Sequence, residues 1–237
     1  MSSDRPRGVI RLKPPTTDPT ARPERPAPPR ETAPSREIAS TRKTAPVRRP
    51  DTLLTRSAPR GLVSGRGVLQ ANLNWSASTG ADLDLGCLVE FTDGSRHVVQ
   101  PLGNSFGSLT APPYAQLDQD DRTGASSDGE TLRLNLEHRA RVRRLLVYTY
   151  VYEGAVDFRS LGAAVTVTAP SGGFRILLDD APAGATACAI ALIAAGADGL
   201  AVQREVRWFT ATPWRSNQQL IDEAYGFGLE WVWCTKD

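Results

Sequence analysis

Short apolar runs separated by turn residues constrain this chain more than any other feature, and they begin after Gly67. In the run Val142–Glu153, every second residue from Leu146 to Tyr152 would face the same side of an extended chain. Period-two alternation with many β-branched and aromatic residues is typical of β-strands. The part of the chain after Gly67 is therefore expected to fold as a β-structure.

Nine runs after Gly67 fit this description, and turn signals such as Asp93-Gly94 separate them. The predicted strands are Val68–Trp75, Leu83–Phe91, His97–Pro101, Thr131–Leu136, Val142–Glu153, Ala163–Ala169, Gly173–Leu177, Thr186–Ala194 and Leu200–Thr210. About nine short strands at this spacing predict an all-β fold with two packed sheets, a β-sandwich.

One segment near the C-terminus predicts a short helix, Asn217–Tyr225. Ser216 would be its N-cap, Gln219 would complete a capping box, and Gly226 would end it. Residues 229–233 alternate again, and they predict a closing strand that carries two tryptophans into the core.

The first sixty residues differ from the rest in composition. They contain no Phe, Trp or Tyr, twelve of the eighteen prolines, and fourteen Lys/Arg against six Asp/Glu, a net charge of +8. The other residues carry fourteen basic and twenty acidic groups, a net charge of −6, which accounts for the total of +2. A segment with so little apolar surface cannot offset the entropy lost on ordering. We expect residues 1–60 to be a disordered, basic, proline-rich tail and residues 61–237 to form one domain.

The tail and the cysteines bear on location. Basic residues spaced among prolines predict a solvated tether, with at most weak contact to an anionic membrane surface or to nucleic acid. No run reaches the ~20 apolar residues that span a bilayer, and the N-terminus lacks the apolar part of a secretory signal. Cys87, Cys188 and Cys234 are far apart, without a CxxC pair, and are expected to be reduced core residues. We expect a cytoplasmic protein without a transmembrane segment.

Two carboxylates open one predicted strand, in the sequence Asp82-Leu83-Asp84-Leu85. Side chains two residues apart share a face, so Asp82 and Asp84 would project together while the leucines face the core. Two like charges ~5–7 Å apart repel by a few kcal/mol at an effective dielectric constant of about 20. The pair therefore calls for a counter-charge, unless this end of the strand is solvated.

A second acidic cluster is stronger evidence for a metal site. The fourteen residues Leu117–Glu130 contain five carboxylates and two glycines. Hard oxygen ligands at short spacing, on a backbone that glycine lets turn tightly, suit Ca²⁺. The segment has no His or Cys for zinc, and Mg²⁺ usually prefers a more rigid octahedral site. A polar loop kept soluble by its acids is the alternative interpretation.

This loop is not an EF-hand. With Asp118 at position 1, Gly124 falls at position 7, and with Gln119 at position 1 the first carboxylate is lost. The flanking segments also predict strands rather than helices. For catalysis, we expect no Gly-x-Ser-x-Gly nucleophile elbow, P-loop or zinc-binding helix, and we expect His97 and His138 to be structural or surface residues.

Taken in order, these motifs resemble the TerD superfamily of bacterial tellurium-resistance and general stress proteins. The resemblance runs from about Leu69 to the C-terminus. It rests on Leu73-Asn74-Trp75, Asp82-Leu83-Asp84, Asp120-Asp121-Arg122-Thr123-Gly124, Asp128-Gly129-Glu130 and an aromatic closing strand. The stretches Val98–Gly107 and Ala224–Trp231 are most similar to the TerA branch of the superfamily.

The resemblance implies a β-sandwich that binds Ca²⁺, commonly at two neighbouring sites. The implied metal ligands are Asp82 and Asp84 from the strand, Asp120, Asp121, Asp128 and Glu130 from the loop, and the side-chain amide of Asn104. The loop is one residue shorter than the family pattern and has Gly129 where an Asp is usual. We therefore expect one or two calcium ions, with one as the safer number.

The resemblance also implies a cytoplasmic protein that acts with other Ter proteins, often at the inner membrane face. We therefore expect a calcium-binding, non-enzymatic scaffold or adaptor of a tellurite-resistance or stress-response system. Two alternatives stay open. One is a metal-dependent enzyme that acts on a phosphate- or sugar-containing ligand, and the other is a membrane or nucleic-acid adaptor that works through the basic tail.

Overall fold

The computed structural model describes residues 9–12, 52–76, 81–117, 129–153 and 157–234, with the backbone alone at 9–12, 233 and 234. Strands dominate this part of the chain. They are β1 (Val9–Leu12), β2 (Thr52–Leu53), β3 (Arg60–Val63), β4 (Val68–Asn74), β5 (Asp82–Phe91), β6 (Arg96–Val99), β7 (Ala115–Leu117), β8 (Glu130–Asn135), β9 (Val142–Glu153), β10 (Ala164–Ala169), β11 (Gly172–Leu177), β12 (Ala187–Gly196), β13 (Gly199–Phe209) and β14 (Trp231–Cys234). The α-helix, α1, is Asn217–Tyr225, and 3₁₀ turns occur at Leu102–Asn104, Leu136–Arg141 and Phe158–Ser160.

The strands form two six-stranded sheets and one two-stranded ribbon. The first sheet has the order β2-β11-β10-β4-β8-β7, and the second has the order β3-β13-β12-β9-β5-β6. Within both sheets the neighbours are antiparallel, except that β2 runs parallel to β11. The ribbon pairs β1 with β14. The predicted all-β, two-sheet architecture with one short helix is confirmed.

The main hydrophobic core combines buried side chains of both sheets, for example Leu73 and Val165 of the first and Leu85 of the second. Strand β4 shows the predicted alternation, because Leu69, Ala71 and Leu73 are buried while the residues between them are partly exposed. The alternating apolar pattern thus specifies which face of each strand is turned inward.

A second cluster of buried residues covers the other face of the second sheet. It includes Leu88 and Tyr148 from the sheet, Ile221 from α1, and Phe227 from the segment after the helix. Because the second sheet is covered on both faces, all ten residues of β5 are buried. This strand therefore has no solvated face.

Helix α1 begins and ends where the sequence predicts. The Ser216 hydroxyl accepts a hydrogen bond from the Gln219 amide (3.2 Å), and the Gln219 side chain accepts one from the Ser216 amide (3.0 Å). This reciprocal pair is the capping box. Gly226 then ends the helix in the left-handed conformation, with φ of 62°.

The chain after α1 is held by the carboxylate of Asp222, which is 3% exposed. It accepts hydrogen bonds from the Gly228 amide (2.6 Å), the Leu229 amide (2.8 Å) and the Trp231 indole (2.7 Å). The predicted closing strand, residues 229–233, is observed as β14, which begins at Trp231 and ends at Cys234. Trp231 packs against the second cluster, and the side chain of Trp233 lies outside the described residues.

The structure adds strands on the N-terminal side that the sequence pattern does not predict. Strand β1 and strand β2 both lie within residues 1–60. Beside β2, Leu54 is 2% exposed in the main core, and Arg56 forms an ion pair with Asp180 at 2.7 Å. The sandwich therefore includes residues before the predicted boundary at 61. Most of the predicted tail lies outside the described residues, so its disorder stays a prediction.

Two further expectations concern the cysteines and the membrane. Cys87 and Cys188 are buried free thiols, as predicted, and the side chain of Cys234 lies outside the described residues. Among the helices of the described part of the chain, none has the length and apolar character needed to cross a bilayer.

Gly86 gives a direct test of the packing around β5. A Cβ atom at this position would lie 2.8 Å from the Tyr148 side chain and 2.9 Å from the Val99 carbonyl oxygen. We expect Gly86→Ala to lower the free energy of unfolding by about 1–3 kcal/mol, because the crowded atoms must move. The measurement is urea unfolding followed by tryptophan fluorescence.

Gly196→Ala is the matched control, because its Cβ would meet nothing closer than 3.5 Å. Its free energy of unfolding should stay within about 0.5 kcal/mol of the wild type. Equal stability of the two variants would contradict the close packing of Tyr148 over Gly86.

Candidate metal centre

The two aspartates that open β5 are buried. Asp82 is 6% exposed and Asp84 is 0% exposed, so the interpretation as a solvated strand end does not apply. Leu83 and Leu85 point into the main core, as the alternation predicts. The pairing of β5 with β9 shifts register between Asp82 and Leu83, and such irregularities re-aim side chains locally.

Glu130 is the third buried carboxylate, and it links the two sheets. It is the first residue of β8, in the first sheet, and it is 0% exposed. Its Oε2 atom accepts a hydrogen bond of 2.5 Å from the backbone amide of Leu85, in the second sheet. The Glu130 carboxylate therefore lies beside the strand segment that carries Asp84.

The hydroxyl of Tyr150, in β9, lies close enough to both Asp84 and Glu130 to be affected by their charges. Tyr150 is the partner of Asp84 in the β5–β9 pairing. Burial raises the pKa of the Tyr150 hydroxyl well above its ordinary value, and the negative charges of Asp84 and Glu130 raise it further. The tyrosine therefore stays protonated beside the two acids.

The other predicted ligands are placed differently. Asn104 is exposed, ends a 3₁₀ turn after β6 and has a positive φ of 55°. Asp120, Asp121 and Asp128 lie outside the described residues. Within the described ranges, no three His, Cys, Asp or Glu side chains are grouped so that they could hold a metal ion by themselves.

Gly129 explains one departure from the family pattern. It has a positive φ of 59°, and a Cβ atom there would lie 2.1 Å from the Leu73 carbonyl oxygen. A residue with a side chain cannot occupy this backbone without displacing β4. The position therefore contributes no carboxylate, and Glu130 is the first acid that β8 itself supplies.

One sequence motif of catalytic type needs the structure to be judged. Residues Gly103 to Gly107 (GNSFG) have the spacing of the nucleophile elbow of hydrolases, in which a helix follows the serine. Here Ser105 follows a 3₁₀ turn, Phe106 packs against the main core, and the chain continues without a helix to Ala115. The motif is therefore not a nucleophile elbow.

A curated protein is clearly similar to the sequence. No family model matches it. The tellurium resistance protein TerA of Alcaligenes sp. is 33% identical over 180 residues, which is 70% of this chain and 51% of that protein. The chain belongs to the Ter family of tellurium-resistance proteins. This identity confirms the predicted resemblance to the family. The chain spans about half the length of the curated relative.

Two solved structures are similar to this Ter-family chain. A protein of unknown function superposes with a TM-score of 0.51 and 15% identity, over 63% of this chain and 94% of the other, which supports the fold alone. A homologue of the telluride resistance protein TerD from Streptomyces coelicolor A3(2) has a TM-score of 0.48 and 20% identity over the same shares.

Tyr150 leads to a prediction about stability at high pH. Above the ordinary tyrosine pKa of about 10, the unfolded chain releases a proton that Tyr150 keeps in the folded state, so stability falls as pH rises. In Tyr150→Phe this contribution is absent, and the free energy of unfolding should fall less steeply between about pH 9 and about pH 11. Urea unfolding at each pH measures the slope.

Tyr148→Phe should change the slope in the same direction, because burial and nearby acids also raise the pKa of Tyr148. If both variants keep the wild-type slope, these hydroxyls are not held in the protonated form by their surroundings.

Proposed function

We propose that this Ter-family chain is a calcium-binding, non-enzymatic scaffold or adaptor of a bacterial tellurite-resistance or stress-response system. The burial of Asp82, Asp84 and Glu130 where β5 and β8 begin carries the proposal. The curated relative, named for tellurium resistance, supports the physiological role. As its partners we propose other Ter proteins, in the cytoplasm and in part at the inner membrane face.

The chemistry of the buried acids favours Ca²⁺ as their ion. Moving a carboxylate out of water is costly unless hydrogen bonds, cations or a metal ion compensate it. Calcium takes six to eight oxygen ligands in a flexible shell and accepts several carboxylates at once. In the proposed site, Asp82, Asp84 and Glu130 are joined by Asp120, Asp121 and Asp128 of the segment that leads into β8.

A bound ion would act mainly on the fold. The Glu130 carboxylate already joins the first sheet to the second through the Leu85 amide. A cation shared by Glu130 and Asp84 would strengthen this link and offset their mutual repulsion. Full burial of both side chains suits an ion that stabilises the sandwich better than one that must admit a substrate, which supports a non-enzymatic role.

Calcium should therefore stabilise the protein. At a free concentration 100 times the dissociation constant, binding to the folded state alone adds about 2.7 kcal/mol to the free energy of unfolding. We expect Ca²⁺ to raise the melting temperature and EDTA to lower it, as measured by calorimetry. A melting curve that does not change across millimolar Ca²⁺ would exclude the proposed site.

Variants identify the ligands within the same experiment. Asp84→Asn and Glu130→Gln should lose the calcium-dependent shift even where their metal-free stability matches or exceeds the wild type, because each removes a repelling charge. Glu223→Gln, on an exposed part of α1, is the control and should keep the full shift. Calcium titration of Asp121→Asn then reports whether the segment before β8 supplies ligands, and the stoichiometry distinguishes one ion from two.

The physiological proposal has a separate test. In a strain of the source bacterium that lacks this gene, the wild-type chain should restore growth on tellurite, and Asp84→Asn should not. Glu223→Gln should restore growth like the wild type. Full rescue by Asp84→Asn, in a protein shown not to bind calcium, would separate the resistance role from the metal.

A further inference from the structure

A cavity lies at the opposite end of β5 from the buried acids, and nothing in the metal proposal uses it. Its volume is about 400 Å³, within the usual range for small-molecule sites. The residues that matter for its chemistry are Phe91, Asp93, His97, Pro112, Tyr114 and Arg141. Seven residues of extended chain separate Asp84 from Phe91, a distance of roughly 23 Å. The cavity is therefore independent of the proposed calcium site.

Aromatic rings form much of the cavity wall, and they hold one another in place. The Phe91 ring meets His97 edge-on at a centroid distance of 5.5 Å and Tyr114 at 6.1 Å. Tyr114 is also stacked on His138, with ring centroids 3.8 Å apart. The ring of a bound ligand could pack against these side chains in the same way, because each ring presents a positive edge or a negative face.

The backbone fixes this wall as well. Tyr114 adopts a positive φ of 55°, a conformation that side-chain-bearing residues rarely take, and its ring is nevertheless buried. Strained backbone of this kind is concentrated at sites that bind ligands. The cavity wall is thus preformed.

Arg141 and His97 supply polar groups that the protein itself leaves available. One N–H of the exposed Arg141 guanidinium donates to the Tyr114 hydroxyl at 3.0 Å. Across the described residues, Arg141 forms no ion pair with a carboxylate, and no hydrogen bond reaches the half-buried imidazole of His97. A guanidinium has five N–H donors in a planar fork that matches a carboxylate or phosphate.

Asp93 is the acidic group of the cavity rim, and it is already engaged. Its Oδ1 atom accepts hydrogen bonds from the Ser95 amide (2.8 Å) and the Ser95 hydroxyl (2.6 Å). The side chain is exposed, so water and salt screen its charge. Besides the hydroxyls of Thr92 and Ser95, the polar groups open to a ligand inside the cavity are those of Arg141 and His97.

We propose that this cavity binds a small aromatic anion, a planar ring that carries a carboxylate or a phosphate. The ring packs against Phe91 and Tyr114, and the anionic group accepts hydrogen bonds from the Arg141 guanidinium and the His97 imidazole. Carboxylate and phosphate share this chemistry, and the choice between them is made by experiment.

The test uses the full chain and two probes, benzoate and phenyl phosphate. Saturation-transfer NMR should show contact of the probe ring protons with the protein, and a titration gives the dissociation constant. Arg141→Gln should weaken binding of the preferred probe about tenfold or more, since a charge-assisted hydrogen bond is lost. Arg139→Gln is the control, because Arg139 lies in the same 3₁₀ turn and donates to the Leu136 carbonyl instead.

The His97 imidazole gives a second readout that a structural effect would not produce. Burial lowers the pKa of His97, while the charge of Asp93 raises it. A bound anion beside His97 and Arg141 stabilises the imidazolium, so saturating benzoate should raise the His97 pKa measured by NMR.

Two results would overturn the proposal. One is the absence of saturation transfer from both probes at millimolar concentration, and the other is equal affinity of the wild type and Arg141→Gln. If Arg141→Gln does not fold, Arg141→Lys serves in its place. It keeps the charge but not the planar fork, and it should bind the preferred probe more weakly than the wild type.

Discussion

Strand β5 runs through the middle of the molecule with all ten residues buried, and it begins with two carboxylic acids. Its apolar residues on one side complete the main core, and Gly86 on the other side leaves the space in which Tyr148 lies. The acids cannot be moved into solvent without pulling the leucines of the same strand out of the core. Any group that compensates Asp82 and Asp84 must therefore come to the strand, where the Glu130 side chain of the facing sheet adds a third buried carboxylate.

One arginine and one buried glutamate help hold the end of α1 against the second sheet. Glu90 of β5 is 4% exposed; burial alone would raise its pKa, but the hydrogen bond and charge of Arg144 and the charge of Arg143 lower the pKa below its ordinary value. Arg144 also donates to the carbonyl oxygens of Tyr225 (2.7 Å) and Gly226 (2.9 Å), and its guanidinium lies 4.1 Å from the centre of the Phe227 ring. A single side chain thus ties β5, β9 and the end of α1 together.

Local signals predicted most of the fold, and contacts between distant segments account for what they did not predict. The helix was predicted to the residue, because Ser216, Gln219 and Gly226 act within a few positions of one another. Strand β2 has only two residues, and its place depends on β11, so period-two alternation could not reveal it. Asp84 is fully buried, but the sequence pattern of β5 alone cannot distinguish a buried strand end from a solvated one. Two further contacts also depend on the tertiary structure. Glu130 accepts a hydrogen bond from Leu85 across the two sheets, and one cavity is lined by Phe91, Pro112 and Arg141.

The directions of β5 and β8 explain why the two proposed sites prefer opposite charges. Both strands begin at the acidic end, β5 with Asp82 and β8 with Glu130, in facing sheets. Both also end at the cavity, since Phe91 closes β5 and the 3₁₀ turn that follows β8 carries Arg139 and Arg141. The buried acids of the proposed metal site thus lie where the strands start, and Arg141 lies at the cavity where they finish. A cation at the first end and an aromatic anion at the second would each meet complementary charge, and roughly 23 Å of extended strand separates the two sites.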